Sequence, residues 1–78
     1  MQLSAIKSGL RYVIEAIDCR DPAVQRLMML GLVQGTEVEL GGSALGGDPL
    51  EVRVFGNAIS LRREQARCFT VAPVASGG

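Results

Sequence analysis

The stretch LMMLGLVQGTEVEL, residues 27–40, decides the fold. Four apolar residues run into Gly31, a second glycine follows at position 35, and an apolar/polar alternation begins directly after it. Gly31 can take the left-handed backbone that closes a helix, and Leu32 is placed for the hydrophobic contact that accompanies such a stop. Gly35, in VQGT, suits a tight turn that requires positive φ. Residues 36–40 then read as a strand, with Val38 and Leu40 inward and Glu37 and Glu39 outward.

Upstream, Asp21 before Pro22 marks a helix start. The carboxylate can cap free amides, and proline forfeits no hydrogen bond at the first helical position. Val24, Leu27 and Met28 share one face at i, i+3 and i+4. Residues 12–17 are rich in β-branched and aromatic side chains and form the first strand. Downstream, residues 41–49 hold four glycines and a proline and read as a connecting loop. Residues 50–55 resume the alternation, Gly56 and Asn57 supply a two-residue turn with glycine first, and residues 58–61 return. This register sets Val54 opposite Ile59 and Val52 opposite Leu61, with Glu51, Arg53 and Ser60 outward. RREQARC is too short for a free helix and forms a single helical or 3₁₀ turn, after which Phe69 and Val71 alternate in a closing strand. The pattern predicts a mainly β domain over residues 1–73: a small five-stranded SH3-like barrel, one α-helix inserted after the first strand, and a short helical turn before the last. Residues 74–78 read as a flexible tail.

At 78 residues the chain has room for one compact core and none for a deep catalytic cleft. Eight basic residues balance eight acidic ones, which argues against nucleic acid as a partner and against adsorption to an anionic membrane. The longest apolar run is LMML, far short of a membrane span, and the start MQLSAIKSG lacks a signal-peptide core, so a cytoplasmic location without membrane insertion is expected. In that compartment Cys19 and Cys68 are expected as free thiols. Histidine is absent, and two distant thiols match no zinc spacing, so neither metal nor cofactor is expected. No nucleophile motif or phosphate-binding glycine signature is present, and the reading is not an enzyme.

Taken together, LMMLGLVQGTEVEL and GGDPLEVRVFGNAISLRREQARCFTV resemble the FeoA domain. The elements that agree in order are Gly31, Gly35 and Thr36, then Gly47, Asp48, Pro49 and Leu50, then Leu61, Arg62 and Ala66. Gln34 departs from the pattern, since the family often has proline there, which loosens the turn. The resemblance implies a small SH3-like barrel that serves as a cytoplasmic accessory of the ferrous iron transporter FeoB, acting by protein contact. The alternative it implies is a free-standing metal-regulatory domain like the one appended to DtxR-type repressors.

The candidate contact residues each carry two readings. Met29 falls on the polar side of its helix beside Gln25 and Arg26, where it either fills a satellite contact or offers an adaptable surface to a partner. Leu45, at the tip of the glycine-rich loop, either folds back over the barrel mouth or docks. Arg62, Arg63 and Arg67 form a basic cluster that either meets an acidic partner or is a solvated face. Asp48 and Pro49 set a turn into the hairpin, and loop chemistry is favoured over a metal site at Cys19, Asp18 and Asp21. Exposed strand edges leave a homo-oligomer open.

Overall fold

The computed structural model describes residues 1–43 and 47–74. Helix α1, Pro22–Met29, starts where the Asp21 carboxylate accepts the Val24 N–H at 2.9 Å, with Pro22 in the first turn. It stops in a Schellman arrangement: Leu32 N–H donates to the Leu27 carbonyl at 3.1 Å and Gly31 N–H to that of Met28 at 3.0 Å. Gly31 sits at φ +118°, and Leu27 and Leu32 are both buried, as the stop requires. The next turn is closed by Thr36 N–H on the Val33 carbonyl at 3.1 Å, with Gly35 at φ +88° in its third position. Gly35 N–H donates to the Ile14 carbonyl at 2.8 Å, which locks this turn onto the first strand.

The strands are β1, Arg11–Ile17; β2, Glu37–Ser43; β3, Leu50–Val54; β4, Asn57–Leu61; and β5, Phe69–Pro73. They form one antiparallel sheet in the order β4-β3-β2-β1-β5. That is the expected mainly β, SH3-like arrangement, with α1 after the first strand and the short helix α2, Arg63–Ala66, before the last. Among the described residues no ladder joins β4 to β5. The chain passes from one end strand to the other through α2, which packs against a 3₁₀ turn at Leu3–Ala5. The outer edge of β5 is met by the chain start, where Val71 N–H donates to the Met1 carbonyl at 2.7 Å and the Met1 amine to the Val71 carbonyl at 3.0 Å.

One hydrophobic cluster fills the interior, with Tyr12, Ile14, Val38, Val52, Val54, Phe69 and Val71 from the sheet and Val24, Leu27 and Leu32 from α1 and its stop. Burying the hydroxyl of Tyr12 costs little, because it accepts the Lys7 N–H at 3.1 Å.

Three expectations are corrected. The hairpin turn is Phe55–Gly56, not Gly56–Asn57, with φ of +53° and +79°, and the pairs become Val54↔Asn57, Val52↔Ile59 and Leu50↔Leu61. Moving the turn by one residue moves every pair by two, so the faces survive. The observed register adds the buried Leu50–Leu61 pair, which the other would forgo. Strand β2 also continues through Gly41 and Gly42 to Ser43 by way of a bulge between Leu40 and Gly42. A Cβ at Gly41 would stand 3.0 Å from Glu51 Oε1 and 3.3 Å from Arg53 Cγ, so the glycine permits close approach of β3 instead of loosening a loop.

The third correction concerns the cysteines. Cys19 and Cys68 are joined in a disulfide with a Cα–Cα distance of 5.2 Å. The Ile17↔Phe69 pair and the Asp18 N–H donated to the Cys68 carbonyl at 2.7 Å bring them together. The expectation of free thiols followed from compartment alone, and compartment carries no information about which residues a sheet sets side by side.

Candidate functional site

Phe55 is the residue that sequence reading passed over. The alternation of residues 50–55 predicts it as the last residue of a strand, yet it occupies the first central position of the β3–β4 turn, in the left-handed region at φ +53° and 80% exposed. Two positive-φ residues make this a type I′ turn, whose twist suits a hairpin but which Asn-Gly normally serves. An aromatic side chain there is strained by roughly 1–2 kcal/mol and gains little burial in return. The sequence did hold a signal: inward Leu50, Val52 and Val54 make Phe55 outward by parity.

The Phe55 ring lies beside the stop of α1. A methyl group built on Gly31 would be 3.7 Å from Phe55 Cε2 and 3.5 Å from Val54 Cγ1. The two residues before Gly31 are Leu30, 58% exposed, and Met29, 88% exposed. The structure thus makes Met29 an open surface side chain, and Met29, Leu30 and Phe55, here called the ridge, are the exposed apolar residues at the end of α1 and at the tip of the hairpin that meets it at Gly31. Leu45 lies outside the described residues.

The basic cluster divides. Arg63 turns inward: its guanidinium donates to the Ser4 carbonyl at 2.7 Å and to the Gly47 carbonyl at 2.8 Å, and its backbone N–H donates to Asp48 Oδ1 at 3.0 Å. It ties the chain start, the entry to β3 and α2 together, and Asp48 caps α2 as well as shaping its own turn. Arg62 and Arg67 are exposed on either side of α2, with the Arg62 N–H held by Gln65 Oε1 at 2.9 Å.

Beside α1 an open groove of about 650 Å³ runs past Ile17, Cys19, Arg20, Gln25, Met28, Val33 and Gln34. Apolar side chains and the sulfur line it, with Arg20, Gln25 and Gln34 as polar members. Among the described residues no group of three or more His, Cys, Asp or Glu side chains is placed to hold a metal ion. None of the described helices is long and apolar enough to cross a membrane.

The FeoA domain model matches residues 1–73. The chain belongs to the FeoA family. Among solved structures, the FeoA protein of Chlorobium tepidum is 35% identical with a TM-score of 0.88, over 100% of this chain and 74% of that one. Iron(II) transport protein A of Clostridium thermocellum is 28% identical with a TM-score of 0.88, over 95% of this chain and 46% of that one. The Stenotrophomonas maltophilia FeoA, complexed with zinc and named as a procaryotic SH3 domain protein, is 32% identical with a TM-score of 0.79, over 92% of this chain and 89% of that one. A comparison with curated proteins found no match.

In this FeoA domain most of the residues that carry the family resemblance hold the fold, while Arg62 is exposed. Gly31 and Gly35 shape the two turns, Gly47 and Asp48 meet Arg63, and Leu50, Leu61 and Ala66 are buried. The exposed ridge stands outside that set.

Proposed function

We propose that this FeoA-family chain is an accessory of ferrous iron uptake, working in the cytoplasm by contact with the cytoplasmic part of an FeoB-type transporter. The observation that carries this reading is the ridge Met29–Leu30–Phe55. Three large apolar side chains stand exposed at the end of α1 and at the hairpin tip that meets it, one of them on backbone that is costly for an aromatic residue. Aromatic residues and methionine are the types that anchor interfaces. Arg62 and Arg67 add positive charge that would speed association with an acidic surface, whereas Arg63 is committed within the fold. No catalytic step belongs to this reading, and a neutral chain with sparse aromatics is a poor binder of nucleic acid.

The experiment is a binding titration of the chain against the isolated cytoplasmic segments of the transporter, with Met29→Glu and Phe55→Glu alongside. Binding by the parent chain, reduced about tenfold or more in each variant as expected for interface anchors, supports the reading. Equal binding by all three proteins would move the contact elsewhere. Normal ferrous iron import in a deletion strain with no other ferrous route would end the accessory role itself.

A further inference from the structure

We propose that the Cys19–Cys68 disulfide is an exchangeable bond, opened by thiols that enter the groove beside α1 and attack Cys19. The two sulfurs are unequal. Cys68 is 7% exposed in the core, whereas Cys19 is half-buried and forms part of the groove wall. Arg20 lines the same groove, and positive charge favours the thiolate form of an incoming thiol. The floor from Ile17, Met28 and Val33 leaves room for a small thiol or the tip of a dithiol protein.

The step balances as follows. A thiolate attacks Cys19 Sγ, a mixed disulfide forms, and the Cys19–Cys68 bond breaks with its electron pair leaving on Cys68 Sγ, which takes a proton from water. A second thiolate attacks the outer sulfur of the mixed disulfide and releases Cys19 as a thiolate, which is protonated in turn. Two thiols are oxidised to one disulfide, and the protein disulfide is reduced to two thiols.

The consequence is local, because the seam around the bond is held twice. Asp18 N–H donates to the Cys68 carbonyl at 2.7 Å, and Thr70 Oγ1 donates to Asp18 Oδ2 at 3.0 Å, so β1 and β5 stay paired when the sulfurs part. What loses its anchor is residues 19–21, the lead into α1, whose first buried side chain is Val24. The bond therefore sets how firmly the start of α1 is tied to the sheet. This inference stands apart from any partner.

The test uses the full chain without denaturant. It is titrated with dithiothreitol and, separately, with reduced glutathione, then followed by alkylation with intact mass, by circular dichroism and by amide hydrogen exchange. The expected result is two free thiols, a retained β-sheet spectrum, and exchange about tenfold faster at residues 19–24 with little change in β2–β4, the pattern of local opening. Reduction by glutathione identifies small thiols as competent; reduction by dithiothreitol alone assigns the site to dithiol partners. A bond that yields only when the sheet unfolds, or unchanged exchange at residues 19–24 after reduction, overturns the proposal. The point of entry is read from single variants treated with glutathione disulfide. Cys68→Ser, which leaves Cys19, should form its adduct about tenfold or more faster than Cys19→Ser, by accessibility of the thiol. Equal or reversed rates overturn entry at Cys19.

Discussion

The ring of Phe55 lies over the backbone of Gly31, close enough that a methyl group on the glycine would touch it at 3.7 Å. One residue ends a helix, the other turns a hairpin, and both sit at positive φ. Phe55 is the costly one. Asparagine is a preferred residue for its position in a type I′ turn, so Phe55→Asn should raise stability by about 0.5–1 kcal/mol. The same variant should weaken binding to the transporter segments. Urea denaturation and a binding titration on the one protein test both halves. A fall in stability would show that the ring contributes packing that outweighs the backbone strain.

Gly31→Val places a β-branched side chain at φ +118° with Val54 Cγ1 3.5 Å from its Cβ. Strain at this backbone alone amounts to about 1–2 kcal/mol, and the added γ-carbons crowd the buried Val54. The melting temperature of a domain this size should fall by roughly 5–15 °C. An unchanged melting temperature would remove Gly31 from its role in closing α1.

Helix and turn were legible in the sequence because their signals are local. Asp21-Pro22 opens α1, Gly31 closes it, and Gly35 turns the chain, each through bonds within a few residues. The hairpin faces were legible from alternation, but its register was not, since either residue pair around Gly56 makes a two-residue turn with the same parity. The buried Leu50–Leu61 pair decides between them, and that is a tertiary fact. The disulfide and the Arg63 contacts were beyond reach for the same reason. Cys19 and Cys68 lie 49 residues apart, and Arg63 meets Ser4 across 59, so only the completed sheet makes them neighbours. Met29 was visible as an apolar residue on a polar helix face; its companion Phe55 needed the turn to be placed first.

Arg63 makes two charge-assisted bonds, to the carbonyls of Ser4 in the chain start and Gly47 at the entry to β3. Arg63→Ala should cost about 2–3 kcal/mol, below the roughly 3–6 kcal/mol of two fully buried charge-assisted bonds because the group is only partly buried. Gly47→Ala should be destabilising too, since its Cβ would fall 2.5 Å from Arg63 Nη2 at φ +78°. Because both substitutions disturb one contact, the double variant should lose less than the sum of the two. A double-mutant cycle by thermal denaturation measures this, and strict additivity would show that Gly47 and Arg63 act independently.

Leu27 and Met29 stand two residues apart on α1 and separate folding from surface. Leu27 is 6% exposed and accepts the Leu32 N–H through its carbonyl, while Met29 is 88% exposed. Leu27→Ala removes buried methyl groups next to Leu32 and should cost about 2–4 kcal/mol, within the range for large-to-small core changes. Met29→Ala leaves no cavity and keeps helix propensity, so its effect should stay within about 0.5 kcal/mol. Urea midpoints with unchanged slopes would report both numbers. Near-equal losses would mean that Met29 is packed in solution, and the ridge would then lose its most exposed member as a docking surface.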